Sequence, residues 1–147
     1  VLVSNFEICT WLNGKGVENY SPGNHGGRIS FEDFDLVFTN AWHSSSDTST
    51  GTPVYLGNPS GFIIEPKGET GKTLYIAGDT EDIPEMRALK DISIAFVPMN
   101  LPYTMDIDQA SAAVAVFKPA VVYPYHYKGE AGLSDVDAFA GKVGAAR

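Results

Sequence analysis

Lys72-Thr73-Leu74-Tyr75-Ile76-Ala77-Gly78-Asp79-Thr80 is an apolar run that stops on a carboxylate. The spacing and residue types of Thr73 to Ala77 predict a buried strand, and Gly78 lets the backbone turn or approach a neighbour closely just before Asp79. A carboxylate at the end of such a strand is expensive unless it is paired, hydrogen-bonded or bound to a metal. Which of the three applies decides how the rest of the chain is read.

Upstream, Gly61 to Glu65 is a second apolar strand, joined to the first across Pro66-Lys67-Gly68-Glu69-Thr70-Gly71 as a hairpin. Phe34 to Ala41 reads as another strand. Ser4-Asn5-Phe6-Glu7 fits a capping box with Ser4 as N-cap, opening an amphipathic helix over 5–13 that Gly14 and Gly16 close. Ser21 to Gly27 reads as a loop, and the polar stretch from Ser44 to Pro53 as a long one. Downstream, strands alternate with helices. Pro84 to Lys90 is a short helix, Ile92 to Val97 a strand and Asp106 to Phe117 a helix with acid in its first turn. Val121 to Tyr125 is a strand that Pro124 consigns to an edge or a bulge, and Ser134 to Val143 is a last helix. Antiparallel strands followed by alternating strands and helices make a layered α/β domain, with no boundary inside the 147 residues.

Composition narrows the function. The net charge is −8, with Lys and Arg scattered singly, so no basic stripe is present to follow a nucleic-acid backbone. No apolar run approaches the roughly 20 residues that cross a bilayer, so no membrane partner is expected. Cys9 is the only cysteine. It is read as a small apolar residue on a helix face, and a chain without a disulfide framework fits a reducing, cytoplasmic compartment. The opening residues carry neither a basic leader nor a small-residue cleavage site, and the chain begins with Val1 rather than Met, so its natural start is expected upstream.

Three apolar strands end on a residue able to hold a metal: Leu36 to Trp42 leads to His43, Leu74 to Gly78 to Asp79, and Val121 to Tyr125 to His126. Two imidazoles and a carboxylate suit zinc, iron or manganese. Each residue also has an ordinary use. A histidine after a strand commonly serves as a hydrogen-bonded structural group, and Asp79 before Thr80 could cap the next turn.

The motifs Ala41-Trp42-His43-Ser44-Ser45-Ser46, Gly57-Asn58-Pro59-Ser60-Gly61-Phe62, Ala77-Gly78-Asp79-Thr80 and Pro124-Tyr125-His126-Tyr127 follow one another in an order that resembles the later motifs of the metallo-β-lactamase superfamily. The nearest branch is similar to L-ascorbate-6-phosphate lactonase. The resemblance implies part of a four-layer αββα sandwich, with His43 on a first metal, His126 on a second and Asp79 bridging the two. It implies two divalent ions, zinc first with manganese or iron as alternatives. The activity implied is hydrolysis by a metal-bound hydroxide of a small-molecule ester, lactone or phosphorylated substrate.

The family's upstream His-x-His-x-Asp-His motif, which brings the remaining ligands and the water-orienting Asp, is not in this sequence. His25, His43 and His126 are its only histidines, and no two are close. The chain is therefore read as the C-terminal portion of a single metallo-β-lactamase-like domain with its N-terminal strands missing, inactive by itself. His25 matches no ligand position; contact with substrate is the lesser of its readings, and no substrate-binding residue is assigned. The loops at 44–59 and 99–106 are expected to shape the pocket. Because strands such as Ile92 to Val97 are apolar on both faces, association with a second copy or with the missing segment is expected. Two rivals stay open: a phosphodiesterase or nuclease of the same fold, and a scaffold subunit without catalysis.

Overall fold

The computed structural model describes residues 1–42, 45–46, 53–54, 60–68, 72–129 and 132–144. In chain order the elements are β1 (Leu2–Asn5), α1 (Phe6–Asn13), β2 (Tyr20–Gly23), β3 (Arg28–Ser30), β4 (Phe34–Asn40), β5 (Ser45–Ser46), β6 (Pro53–Val54), β7 (Ser60–Pro66), β8 (Leu74–Ile76), α2 (Pro84–Arg87), β9 (Ile94–Pro98), α3 (Ile107–Phe117), β10 (Val121–Tyr125), β11 (Lys128–Gly129), β12 (Gly132–Leu133) and α4 (Val136–Gly144). Six strands form one mixed sheet in the order β10-β9-β8-β7-β4-β3. β8, β9 and β10 are parallel, while β3, β4, β7 and β8 pair antiparallel in turn. As Pro124 requires, β10 is an edge strand.

Alternation along the strands gives the sheet two apolar faces. Tyr75, Ala77, Ala95 and Val97 point to the face covered by helices, where they join Met86, Ala110, Ala113, Val114, Phe117, Phe139 and Val143 in one buried cluster. The small residues Ala110 and Ala113 let α3 lie close to the sheet, and Phe117 meets the Tyr75 ring edge-on at 6.0 Å. α3 starts on a capping box between Asp106 and Gln109, which satisfies two of its free N–H groups.

The opposite face carries two rows in register. One runs Tyr123, Phe96, Ile76, Phe62, Phe38, and the other Val121, Ile94, Leu74, Ile64, Leu36, Ile29. The first row is covered at its β4 end, where a Cβ on Gly23 of β2 would stand 2.1 Å from the Phe38 ring. At the β10 end it is open: Tyr123 is 52% exposed.

Differences from the expected elements are local. Asn5 caps α1, accepting the Ile8 N–H at 2.9 Å, where Ser4 was expected. Leu2–Asn5 pairs in parallel with Tyr20–Gly23, the helix starts at Phe6, one residue later than expected, so Asn5 falls at the N-cap, and Asn is as good a cap as Ser. The same pairing turns the first part of the expected loop, Ser21 to Gly23, into a strand. Pro22 is tolerated because β2 pairs on one side only. Cys9 is buried on α1, as read.

Candidate metal centre

Because β4, β8, β9 and β10 run in one direction, their C-terminal ends share one edge of the sheet. In open α/β sheets this is the edge where ligands bind. Asp79 follows β8, Asn100 follows β9 and His126 follows β10. His43 follows β4 but lies outside the described residues, as does most of the loop at 44–59.

Asp79 and His126 meet. The Nδ1 of His126 is 2.9 Å from Oδ1 of Asp79, 47 residues away in sequence. Both side chains are reachable from solvent, 37% exposed for His126 and 50% for Asp79. Their backbones are unusual. Gly78 has φ +71°, and a Cβ there would stand 2.5 Å from the Ser60 carbonyl oxygen, so only glycine fits. His126 itself sits at φ 46°, a left-handed conformation that a non-glycine residue adopts at a cost of about 1–2 kcal/mol. Strain of this kind persists where the surroundings impose it, commonly at functional sites.

Three braces hold the pair. The Tyr125 hydroxyl donates to the Gly78 carbonyl at 2.9 Å, tying β10 to the turn before Asp79. Burial first, and the Asp79 charge second, push that phenol up to about 12, so it stays a neutral donor near pH 7. The second brace is the wholly buried Thr80, whose hydroxyl accepts the Trp42 N–H at 3.0 Å and donates to the Glu81 carbonyl. The Glu81 N–H donates to the Trp42 carbonyl. The residue before His43 is thus fastened to the turn that carries Asp79. The third brace is Asn100, whose amide nitrogen lies 3.2 Å from Nε2 of His126. Asn100 was singled out by no motif, yet it repeats the signal that marked Asp79: a polar residue closing the apolar stretch Ile94 to Met99.

Among the described residues no three His, Cys, Asp or Glu side chains converge. Asp79 and His126 stand as a pair. They nevertheless fit a metal: an imidazole and a carboxylate are the donors zinc and its neighbours take, and two donors on one tetrahedral ion stand roughly 3.4 Å apart, a few tenths wider than this hydrogen bond. His25 is placed elsewhere, lining a cleft of about 460 Å³ with Asn40, Tyr75 and Glu85, whose walls include neither Asp79 nor His126. A groove of about 480 Å³ between Leu101, Ile107, Gly129, Leu133 and Lys142 adjoins Asn100 in the chain, but it too lacks both.

Comparison with known proteins gives the family. Residues 3–127 match the family described as the beta-lactamase superfamily domain. A metal-dependent hydrolase of Methylocella silvestris is 45% identical over 97% of this chain and 63% of its own length. A metallo hydrolase from the archaeon Ignicoccus hospitalis superposes with a TM-score of 0.80 at 33% identity, over 98% of this chain and 60% of that one. The metallo-β-lactamase fold protein YhfI of Bacillus subtilis, 6% identical with a TM-score of 0.68 over 98% of this chain and 57% of its own, shares the fold alone. The chain spans about three fifths of the length of these relatives. With its family match running through both Asp79 and His126, this chain belongs to the β-lactamase superfamily and carries the α/β fold of its metallo-β-lactamase members.

Proposed function

We propose that the protein is a metal-dependent hydrolase acting on a small-molecule ester, lactone or phosphorylated substrate, with His43, Asp79 and His126 as metal ligands. The observation that carries this reading is the contact of Asp79 with His126 at the shared C-terminal edge of parallel strands. Relatives described as metal-dependent hydrolases support it. A divalent ion, zinc first and manganese or iron as alternatives, supplies a Lewis acid for the scissile oxygen and acidifies water.

The chain's own residues prepare the place. Gly78 and the Tyr125 hydroxyl fix the direction in which Asp79 leaves its strand. The left-handed turn at His126 accompanies an imidazole brought to within hydrogen-bonding reach of that carboxylate. Thr80 and Glu81 anchor Trp42, and with it the start of the segment bearing His43. The substrate is taken to be small and not a nucleic acid because the chain is acidic, with no basic stripe. Placement near L-ascorbate-6-phosphate lactonase rests on the order of the sequence motifs, and within the branch the substrate is open to a panel of lactones, esters and phosphoesters.

The test is metal content and hydrolysis measured on the natural protein that carries this chain, beside Asp79→Asn and His126→Ala. Wild type is expected to hold divalent metal and to hydrolyse a member of the panel. Each variant should lose metal by more than the roughly 10–100-fold typical of outer-shell changes. A wild-type protein that binds no divalent ion contradicts the reading.

A further inference from the structure

Asn100 is 1% exposed and Thr104 3%, two of the few buried polar side chains among the described residues. Their hydrogen bonds leave little freedom. The Asn100 N–H donates to the Thr104 hydroxyl at 2.9 Å. That hydroxyl has one proton, and Oδ1 of Asn100 lies 2.7 Å from it, closer and less crowded than the Asn100 carbonyl at 3.2 Å. With Oδ1 occupied by Thr104, the other end of the amide, Nδ2, faces Nε2 of His126 at 3.2 Å, with the Lys128 carbonyl at 3.5 Å.

An amide nitrogen only donates. Nε2 must therefore accept, and a neutral His126 carries its proton on Nδ1, donated to Asp79. We infer that Asn100, braced by Thr104, is a positioning residue that holds His126 in the Nδ1–H tautomer against Asp79, and that its amide must turn over for Nδ1 to become a metal donor. This rests on the functional reading above for its second half. If Nδ1 gives up its proton to hold an ion, the neutral ring carries its proton on Nε2, where a donor now stands. Reversing the amide would present Oδ1 to that proton, giving the ligand the outer acceptor that metal-bound histidines ordinarily have.

The turn itself does not need this contact. Asn100's carbonyl accepts from the N–H groups of Tyr103 and Thr104, which already closes the loop after β9. The Nδ2 group instead reaches across 26 residues to the histidine.

The tautomer is read directly from imidazole nitrogen shifts by ¹⁵N NMR of the metal-free natural protein, so no variant is needed for the first result. Nδ1–H with a bare Nε2 in wild type, and a proton gained at Nε2 in Asn100→Asp while Asp79 keeps Nδ1–H, supports the inference. Nε2–H in wild type overturns it, as does a protonation state indifferent to Asn100→Asp. Zinc titration of the same proteins separates the two halves. Asn100→Ala should weaken zinc binding about 10–100-fold by removing the outer partner. Thr104→Val, which frees the amide to reverse, should leave affinity unchanged or tighter, whereas a merely structural role would weaken both alike. Thr104→Ser keeps the hydroxyl and should restore the wild-type tautomer and affinity. If wild type binds no zinc at all, the functional reading fails while the tautomer result stands on its own.

Discussion

At the scale of single residues, Asp79 shows why a buried-looking strand can end on a carboxylate. It is half exposed and hydrogen-bonded to His126, which relieves much of the desolvation cost. Its partner is the strained one. Asn tolerates a left-handed backbone better than His does, so His126→Asn should keep or raise the thermal midpoint while metal affinity falls. Calorimetry and metal titration on one preparation check both halves. Tyr75, 1% exposed, gives a pH prediction. Burial first, then the Tyr125 phenol, raises it above the ordinary 10.0. An unfolded tyrosine ionises near that ordinary value while the folded one keeps its proton. The unfolded state therefore binds fewer protons above about pH 10, and stability falls as pH rises further. Thermal midpoints from pH 9 upward should decline, and Tyr75→Phe should decline less. That Asp79 and His126 come together was legible from the sequence, because each closes an apolar strand in a recognisable motif. Asn100 was not, because an asparagine between Pro98 and Pro102 is read as turn chemistry. Only folding shows that the turn uses its backbone and leaves the amide free for His126.

The elements were legible where periodicity was long and misread where pairing was non-local. α3, β7, β9 and β10 fall within a residue or two of their sequence expectations, since the same alternation that marks them buries them. β1 and β2 were missed. Each is only four residues long, and they pair across the helix between them, so neither carries a signal by itself. The hairpin of β11 and β12 is shorter still. Glycine positions carry the sharpest element-scale prediction. Gly78→Ala combines a left-handed backbone with a Cβ 2.5 Å from the Ser60 carbonyl, so it should cost at least the 1–2 kcal/mol of the conformation alone. Because the clash falls on β7, the junction of β7 with β8 should lose amide-exchange protection first. At Asp106, Ala removes half of the capping box and should cost about 1 kcal/mol, measured by denaturant unfolding, with metal affinity unchanged.

At the scale of the whole molecule, the six-stranded sheet has one face under helices and the other apolar and, among the described residues, partly open at its β9–β10 end. Phe96 and Tyr123 stack there at 5.6 Å, and Val121 lies in the neighbouring row. Leaving an additional 500 Å² of such surface in water forgoes on the order of 12 kcal/mol, as much as a domain's net stability. We expect these 147 residues, produced alone, to associate with a second copy or another covering segment through this face. Light scattering should show dimers or larger species, and Tyr123→Glu should shift them toward monomer. A monodisperse, cooperatively unfolding wild-type monomer would contradict that expectation. The sequence foretold the two-faced apolar strands but not which end stays open, since that depends on β2 settling over Phe38. The proposed function rests on the other feature of the sheet, the common edge where β4, β8, β9 and β10 finish. The most direct test of the metal centre is an anomalous difference map at the zinc edge, from crystals of the natural protein grown with zinc. The account predicts a peak within bonding distance of both Asp79 and His126, with His43 as a further donor. A map with no peak there, and the hydrogen bond between Asp79 and His126 intact, would contradict it.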